Sequence, residues 1–518
     1  MGIPSYFSYI IKNYANIIRK KNYDQNFDHL FMDCNSIIYD SYYRLEKAIK
    51  NSNGEKNTNI EKLLIRDVIE QISEYLRFIS PTKTAFIAFD GVPPFAKMDQ
   101  QRIRRYKTQY MNELQNKGDD SIWNTTAITP GTDFSNALNK AIYKEFKGKN
   151  KKWGIQNLLV SCSDKAGEGE HKLFEFLRQN DYKSDSVAVY GLDSDLIMLS
   201  IFHHGKFCNS IQVFRESPEF RTVLSSDFEP KERLFLDIGS LISAISKEMS
   251  IEKKNVYDYV FMCFFLGNDF MPHFPAFNIR THGIQVLTET YSKMKLQFID
   301  SVGRIEWKNV EKYIKELAKN EYDYLLTEYN CRDKLDKRYW SENTREERDQ
   351  ILHNVPIIYR IDEKYISPNE YGWEKRYYSS LFGIDNITED DISEICMNYL
   401  EGLDWVFSYY TDKCLDWRWN YRYNYPPLMK DLARYVCKYK KSWIYREPFT
   451  SDLQLAYVLP RAKLDLSKNC EYLLEKYNEK YPVKYEYQWA FCRYFWEAHP
   501  LLPHISIEEL EILSNELY

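Results

Sequence analysis

The chain has 518 residues, of which 44% are hydrophobic and 28% are charged. This composition is typical of a globular protein and excludes a mostly disordered chain. Because one hydrophobic core rarely serves so long a chain, we expect two or more packed units. The net charge of -5 and the pI near 6.1 show no global preference for nucleic acid, so local basic patches must decide that question.

The distribution of apolar residues excludes the membrane and secretory classes. The longest strongly apolar run, residues 260–266, is too short to span a bilayer. The amino terminus lacks a cationic segment followed by an apolar one, so no secretory signal is predicted. The 10 cysteines occur without a Cys-x-x-Cys pair, which is typical of reduced thiols rather than of disulfides or a zinc site. We expect a soluble protein of a reducing compartment, without a membrane partner.

Strand-like and helical patterns alternate over roughly residues 27–296. Apolar runs typical of strands occupy residues 30–32, 84–89, 157–160, 187–190, 211–214 and 233–236. The clearest helical patterns lie between them, at residues 61–79, 98–114, 133–146 and 170–177. This alternation predicts an α/β fold with a mixed, largely parallel sheet flanked by helices.

We expect three regions along the chain. Residues 1–299 contain the alternating patterns and form the α/β unit. Residues 300–370 are a charged connector, and the mixed charges at residues 332–349 are interpreted as the exposed face of a solvated helix. Residues 371–518 are rich in aromatic side chains and are expected to form a second, mainly helical region packed against the first.

Two acids follow one of the predicted strands. Asp193 and Asp195 come directly after the apolar run at residues 187–190. Side chains two apart in an extended chain share a face, so we expect both carboxylates to project together from the strand end. Two like charges raise each other's pKa unless a cation lies between them, and hard cations such as Mg²⁺ prefer carboxylate oxygens. The pair therefore predicts a metal-dependent active site.

Further acids are expected at the same edge of the sheet. Asp33 and Asp90 follow two other strands, and ligand sites in such sheets lie beyond the carboxyl ends of the strands. Glycines beside Glu168 and Glu170 permit a tight turn that leads into a helix. The candidate catalytic and metal-binding acids are Asp33, Asp90, Glu168, Glu170, Asp193, Asp195 and Asp269.

These acids, taken as a group, predict a two-metal centre. Any one of them alone is more often a helix cap, a turn former or a solvated acid. A cluster at one sheet edge opposes folding unless cations neutralise it, and a pair of metal ions also promotes displacement at phosphorus. The expected reaction is phosphodiester hydrolysis. His171 is a candidate base, but metal-activated water makes a separate base unnecessary, and we interpret His171 as structural.

A cationic helix face begins seven residues after Asp90. At the spacing of one face of a helix, this face contains Lys97, Gln101, Arg104 and Arg105. Arginine supplies forked donors and lysine a point charge, which together suit a phosphate group. The alternative is a solvated basic helix, since Arg102 and Lys107 place cations on its other sides. A phosphate pocket beside a cleavage site implies that the terminal phosphate is held at a fixed distance from the cleaved bond. This arrangement favours an exonuclease over an endonuclease.

Several segments, taken in order, resemble the Xrn-type 5′-to-3′ exoribonucleases. In the first half they are Gly2-Ile-Pro, Asp33-Cys-Asn-Ser, Asp90-Gly-Val-Pro-Pro-Phe, Ile128-Thr-Pro-Gly-Thr, Gly167-Glu-Gly-Glu-His-Lys, Gly191-Leu-Asp-Ser-Asp-Leu and Gly267-Asn-Asp-Phe-Met-Pro. In the second half they are Tyr399-Leu-Glu-Gly-Leu-Asp-Trp-Val, Cys414-Leu-Asp-Trp-Arg-Trp, Tyr423-Asn-Tyr-Pro-Pro, Tyr457-Val-Leu-Pro and Leu501-Leu-Pro-His-Ile. The residue identities of these segments and their order along the chain are together highly specific for this family. The resemblance covers nearly the whole chain and is weakest between residues 300 and 370.

The resemblance implies a PIN/flap-nuclease-like fold and processive 5′-to-3′ hydrolysis of single-stranded RNA to mononucleotides. The family's ligands for two Mg²⁺ ions, for which Mn²⁺ substitutes, match the seven acids, and its 5′-phosphate pocket matches the cationic helix face. The family accepts a 5′ monophosphate and excludes capped ends, which implies a decapping enzyme as functional partner. Residues 371–518 would then complete the active-site wall and the RNA channel. We expect a monomer.

The chain departs from the family pattern at several positions. Tyr39 stands where the family usually has a stacking His, so base stacking is still expected but a titratable ring is lost. Residues that are frequently basic in the family are replaced here by Ser5, Ser8 and Phe95. A second base-stacking aromatic corresponds to Trp417 or Trp419, and the sequence does not choose between them.

The sequence lacks several features that other members of the family have, and these bear on localisation and on rival functions. The chain resembles a minimal catalytic core, without the accessory domains of cytoplasmic members or the zinc knuckle of many nuclear ones. The chain has no convincing basic targeting cluster, although residues 147–152 are rich in lysine, so a cytoplasmic location is expected rather than a nuclear one. The rival functions are a flap-type DNA nuclease, which shares the metal centre, and a nuclease-dead RNA-binding scaffold, which retention of all seven acids disfavours.

Overall fold

A seven-stranded sheet is the centre of the first region. The structure, a computed structural model, describes residues 2–21, 26–51, 59–115, 123–217 and 232–517. The strands are β1 (Ile18–Arg19), β2 (His29–Asp33), β3 (Thr84–Ala88), β4 (Asn157–Ser161), β5 (Tyr182–Tyr190), β6 (Cys208–Glu216) and β7 (Arg233–Asp237). All six predicted strands are therefore present, and the short β1 is an additional one.

The sheet is mixed and largely parallel, as predicted. Its strand order is β1-β7-β6-β5-β2-β3-β4. The five strands from β6 to β4 run parallel, whereas β7 is antiparallel to both β6 and β1. Asp33 pairs with Ala88 and Met32 with Tyr190, so β2, β3 and β5 end at nearly the same level. The carboxyl ends of the central strands thus share one edge.

Helices cover both faces of this sheet. They are α1 (Tyr6–Asn13), α2 (Asn35–Asn51), α3 (Ile60–Ile79), α4 (Phe95–Leu114), α5 (Asp133–Phe146), α6 (Asn150–Trp153), α7 (Gly169–Arg178), α8 (Asp195–His203), α9 (Ile238–Met249), α10 (Val256–Cys263) and α11 (Gly283–Met294). The helix predicted at residues 133–146 has the predicted bounds, and the Thr132 side chain caps it by accepting from Ser135 N. Helix α4 begins three residues before its predicted start, because Pro94 already provides the carbonyl that Lys97 N and Met98 N bind.

The second region is mainly helical, as predicted. Its helices are α12 (Trp307–Lys319), α13 (Glu321–Asp336), α14 (Arg345–Ile358), α15 (Ile361–Ile366), α16 (Trp373–Phe382), α17 (Glu389–Thr411), α18 (Met429–Tyr435), α19 (Ser451–Val458), α20 (Cys470–Lys476) and α21 (Ile507–Glu516). A two-stranded ribbon joins β8 (Tyr487–Gln488) to β9 (His499–Pro500). No helix in the described ranges combines the length and apolar character needed to cross a bilayer.

Alternating side chains of the sheet belong to different cores. Leu30 and Met32 face α3 and α5, whereas Phe31 faces the opposite side. On that opposite side the core continues from the sheet through α7, α8 and α10 into α17, where Trp405 is fully buried. The second region therefore packs on the helices that cover one face of the sheet and shares their core.

The connector is less solvated than its mixed charges predict. The Arg332 side chain is only 2% exposed and donates to both carboxylate oxygens of Glu363, at 2.6 and 2.9 Å. Arg332 also donates to the Cys492 carbonyl at 2.9 Å. The interpretation of residues 332–349 as an exposed helix is wrong at Arg332, because ion pairing allows this charge to be buried. The domain boundaries near residues 300 and 370 stay predictions.

Candidate metal centre and phosphate cleft

The first acidic triad consists of Asp33, Asp90 and Glu170. Asp33 is the last residue of β2, Asp90 lies two residues after β3, and Glu170 is in the first turn of α7. One carboxylate oxygen of each lies within 4.8 Å of the others. The parallel strands bring these acids together at the sheet edge, as the sequence predicts.

The second acidic triad consists of Asp193, Asp195 and Asp269, whose oxygens also lie within 4.8 Å of one another. The expectation that Asp193 and Asp195 project from one strand is wrong, because β5 ends at Tyr190 and Asp195 is the first residue of α8. A turn brings the pair together, and Asp195 N donates to Asp193 Oδ1 at 3.1 Å. Asp269 follows the buried helix α10 and a short 3₁₀ turn, as predicted.

Glu168 lies beside both triads, at the residue preceding α7. It accepts a hydrogen bond from the Tyr409 hydroxyl at 2.9 Å, which links the second region to the metal centre. His171 stacks on the Tyr409 ring with a centroid distance of 3.6 Å. Burial lowers the pKa of His171 well below its ordinary value, so the ring is neutral. This packing supports the structural interpretation of His171.

Two glycines allow the backbone to approach the acids closely. Gly169 N donates to Asp90 Oδ1 at 2.6 Å, and a Cβ at Gly169 would lie 2.5 Å from Asp33 Oδ1. Gly2 has a φ of +53°, and a Cβ there would lie 2.2 Å from Asp195 Oδ1. Larger residues at either position would displace a carboxylate. The glycines therefore have a direct role in shaping both triads.

The electrostatics of the acids fit bound cations. Burial, with the charges of Asp90 and Asp193, raises the pKa of Asp33 well above its ordinary value. Burial, with the charges of Asp193 and Asp269, raises the pKa of Asp195 to about 8. Asp33 Oδ1 and Asp195 Oδ1 are buried without a hydrogen-bond partner among the described residues. Clustered oxygen donors with unsatisfied buried atoms are the ligand set of a hard divalent metal ion.

Lys97 neutralises part of this negative charge. Its Nζ lies 2.6 Å from Glu168 Oε2 and 2.7 Å from Asp269 Oδ2. Burial alone would lower the pKa of Lys97, but Asp269 and Glu168 raise it well above its ordinary value. Burial likewise opposes ionisation of Asp269, whereas Lys97 holds its pKa below the ordinary range. Lys97 also lines the cleft with the rest of the cationic helix face, and its role in binding phosphate stays a prediction. In the structure it is the counter-ion of two acids.

The remaining three residues of the cationic helix face line the same cleft as the acids. This cleft has a volume of about 470 Å³ and contains Gln101, Arg104 and Arg105. Gln101 Oε1 accepts a hydrogen bond from Gln454 Nε2 at 3.0 Å. Arg105 Nη1 is buried without a hydrogen-bond partner among the described residues, and burial lowers the pKa of Arg105 to about 10. A guanidinium with a buried, unpaired Nη1 beside the acids is suited to donate hydrogen bonds to an anion.

The opposite side of α4 is bound to the end of the chain. Arg102 donates to the Pro503 carbonyl at 3.1 Å and to the Lys480 carbonyl at 3.2 Å. Lys107 donates to the Trp496 carbonyl at 2.6 Å. The alternative of a solvated basic helix is therefore wrong, because both cations bind backbone carbonyls of the second region.

The structure distinguishes the candidate stacking residues. Tyr39, on α2, is partly exposed and lines the cleft. Trp417 is also partly exposed, and its ring would lie 3.9 Å from a Cβ at Gly167, in the loop that carries Glu168. Trp419 is only 5% exposed and stacks on Trp405 at 5.1 Å. Trp419 therefore belongs to the core, and Trp417 is the remaining tryptophan candidate.

Two supporting residues of the site, Asn35 and Tyr409, are not predicted from the sequence. Asn35 Oδ1 accepts from Asp90 N at 3.0 Å, and the Asn35 amide donates to the Asp90 carboxylate. Its position two residues after Asp33, within a quoted segment, is a signal that could have found it. Tyr409 follows Glu168 by 241 residues, and no spacing or pattern indicates their contact.

Comparison with known proteins gives matches along most of the chain. The model described as "XRN 5'-3' exonuclease N-terminus" matches residues 1–217, and the model described as "Xrn1 helical domain" matches residues 249–367 and 361–517. The chain is 25% identical to human 5'-3' exoribonuclease 1, with 100% of this chain and 34% of that protein covered. It is 23% identical to Arabidopsis thaliana 5'-3' exoribonuclease 2, with 98% of this chain and 66% of that protein covered.

The relatives are longer than this chain, which spans from about a third to about two thirds of these two proteins. Among solved structures, the catalytic core of Rad2 in complex with a DNA substrate matches with a TM-score of 0.30 and 12% identity. That match covers 75% of this chain and 89% of the Rad2 chain. The two family models between them match nearly all residues outside 218–248, and on that basis the chain belongs to the XRN family of 5′-3′ exonucleases.

Proposed function

We propose that this chain is a processive 5′-to-3′ exoribonuclease that hydrolyses 5′-monophosphorylated, single-stranded RNA to mononucleotides. The observation that carries the proposal is one cleft lined by the first acidic triad, by Asp193 of the second triad, and by Gln101, Arg104 and Arg105. The two relatives, which are 5'-3' exoribonucleases, support the same activity. A metal centre next to an anion pocket suits cleavage at a fixed distance from a terminal phosphate.

Two Mg²⁺ ions, replaceable by Mn²⁺, are the cofactors we propose. Asp33, Asp90 and Glu170 would hold one ion, and Asp193, Asp195 and Asp269 the other. When bound, such ions generate a hydroxide nucleophile and stabilise the charge that develops at phosphorus. The protein contributes carboxylates held in place by strand ends and helix starts, with Lys97 fixing Glu168 and Asp269.

The cationic face determines which end of the RNA is accepted. Arg104 and Arg105 carry guanidinium groups into the cleft, where they would bind the non-bridging oxygens of a 5′ monophosphate. A 5′ hydroxyl lacks these oxygens, and a capped end adds a nucleotide that the cleft would have to exclude. RNA released by decapping has the required end, so we propose a decapping enzyme as functional partner. We also propose that the enzyme is a monomer and that it is cytoplasmic.

Replacing Arg105 with Gln is expected to reduce the preference for a 5′ monophosphate over a 5′ hydroxyl by about a hundredfold, because a charged hydrogen bond to phosphate contributes roughly 1.5–3 kcal/mol. The measurement is kcat/KM for matched RNAs that differ only in their 5′ end, with DNA of the same sequence alongside. Arg66→Gln, a change to an exposed arginine on α3, is the matched control and should leave the ratio unchanged.

Several outcomes would contradict the proposal. Equal cleavage of the two ends by the unmodified protein would refute the pocket assignment. Preferential cleavage of DNA would favour the flap-type nuclease, and absence of any metal-dependent product would favour the RNA-binding scaffold. An Arg105→Gln variant that keeps the full end preference would show that Arg104 and Gln101 bind the phosphate without it.

Truncating the two tryptophans should have opposite consequences. Trp417→Ala is expected to weaken RNA binding about tenfold with little loss of stability, because stacking on one base contributes roughly 1–3 kcal/mol. Trp419→Ala should instead lower the free energy of unfolding by about 3–5 kcal/mol, because it removes a buried ring stacked on Trp405. Urea unfolding and RNA-binding titrations measure the two effects. Equal loss of stability in both variants would contradict the choice of Trp417 over Trp419 as the base-stacking residue.

A further inference from the structure

A second, larger groove continues from the cleft. It has a volume of about 1000 Å³ and lies between α1 and α11. Ser5 and Ser8 line both the groove and the cleft, so the two depressions adjoin at the start of α1. None of the seven acids lines the groove. Its volume is therefore available to a part of a ligand that does not take part in the reaction.

The groove is lined by more cations than acids, four against two. Lys12 at the end of α1, and Lys293 and Lys295 at the end of α11, are exposed and form no ion pair with any acid in the described part of the chain. The acids on the same wall are engaged differently. Glu248 accepts a hydrogen bond from the Tyr14 hydroxyl, and Glu289 accepts one from Gln285 Nε2 at 2.7 Å. The free positive charge suits a polyanion.

Uncharged donors complete the wall of the groove. The hydroxyl groups of Ser5, Ser8 and Thr281 line it, together with the partly exposed ring of Tyr9. His282 Nε2 is buried in this wall without a hydrogen-bond partner among the described residues. Lysines, hydroxyl groups and a ring nitrogen are suited to phosphates and ribose hydroxyls, whereas sequence-specific reading of bases needs other groups.

We propose that this groove binds the RNA strand on the 3′ side of the scissile phosphate. The inference rests on the proposed function, in which the 5′ phosphate occupies the Arg104 and Arg105 side of the cleft. Because the strand begins there, any part that leaves the cleft across Ser5 and Ser8 is necessarily its 3′ portion. Contacts to the backbone would hold the strand between successive cuts without regard to sequence.

Reversing the two charges at the end of α11 tests the proposal. The double change Lys293→Glu and Lys295→Glu is expected to weaken binding of a 5′-monophosphorylated RNA of about 30 nucleotides by about tenfold, because counterion release dominates such contacts. Binding of a 5′-monophosphorylated trinucleotide should not change. The slope of log Kd against log salt for the long RNA should become shallower by about 1.4, which is ~0.7 for each lost contact.

Both measurements use the full chain carrying Asp193→Asn, so that the RNA stays intact during the titration. The matched control reverses Lys440 and Lys484, which are exposed and line neither the cleft nor the groove. Equal weakening for the long RNA and the trinucleotide would overturn the proposal, since the damage would then be local to the cleft. Unchanged binding of both RNAs would also overturn it. Loss of the 5′-end preference in the unmodified protein would instead count against the proposed function, which keeps the two failures distinguishable.

Discussion

Replacing Asp195 with Asn should lower the rate of cleavage by about a thousandfold or more, and should also make the metal-free protein more stable. The first effect follows from loss of a metal ligand, since a metal ion contributes several kcal/mol to such reactions. The gain in stability follows from removal of the buried Asp195 carboxyl group. Burial, with Asp193 and Asp269, raises the pKa of Asp195 from its ordinary value of 3.8 to about 8.

The sign of the pH dependence follows from this raised pKa. A carboxyl group that binds its proton more tightly in the folded state opposes folding above its unfolded pKa, and the cost grows until the folded pKa is reached. The free energy of unfolding of metal-free Asp195→Asn should therefore exceed that of the unmodified protein by an amount that increases between pH 4 and pH 8. At pH 4 the two proteins should be nearly equally stable.

Thermal unfolding at several pH values, with and without Mg²⁺, measures this effect. Mg²⁺ should raise the Tm of the unmodified protein, most strongly at the alkaline end, and should raise that of Asp195→Asn much less. Asp181→Asn is the matched control, because Asp181 is exposed and accepts only a local hydrogen bond from Lys183 N at 3.1 Å. A lower Tm for metal-free Asp195→Asn at every pH would contradict the assignment of a repulsive, buried acid.

Replacing Lys97 with Met should lower the free energy of unfolding by about 3–5 kcal/mol, the usual cost of removing one partner from a buried ion pair. Lys97 bonds both Glu168 and Asp269 at distances under 3 Å. Without Lys97, both buried carboxylates lose this ion pair. Combining Lys97→Met with Asp269→Asn should recover a large part of the lost stability.

Urea unfolding of the single and double variants measures the coupling between the two residues. Lys107→Met is the matched control on the same helix, since it removes only a hydrogen bond to the Trp496 carbonyl and should cost about 1 kcal/mol. If Lys97 served chiefly to bind the substrate phosphate, its replacement would raise KM and leave stability unchanged. That result would contradict its role as counter-ion.

The parts of the site that sequence predicts are those set by sheet geometry. Asp33 and Asp90 follow strands whose apolar runs are recognisable, and parallel pairing brings their ends together. The spacing of Gln101, Arg104 and Arg105 predicts that they share a helix face, and all three line the cleft. In both cases the regular geometry of strands or of a helix determines which side chains lie together.

The parts that sequence misses depend on tertiary contacts. The turn after Tyr190 places Asp195 at the start of α8, although its spacing from Asp193 suits a strand equally well. Burial of Trp419 depends on α17, which supplies Trp405 as its stacking partner. Arg332 is buried because Glu363 lies opposite it on α15. Pattern alone does not distinguish a solvated charge from a paired one, or a core tryptophan from one at a cleft.

The hydrogen bond between Tyr409 and Glu168 has a consequence for the stage of synthesis at which the site is complete. The two residues are separated by 241 positions, and His171 in the same helix as Glu170 packs on the Tyr409 ring. A chain emerging during synthesis thus contains all seven acids long before α17 exists to hold Glu168 and cover His171. We expect cutting activity to appear only after residues beyond 411 have been added and have folded, so that an incomplete chain does not degrade the RNA that encodes it.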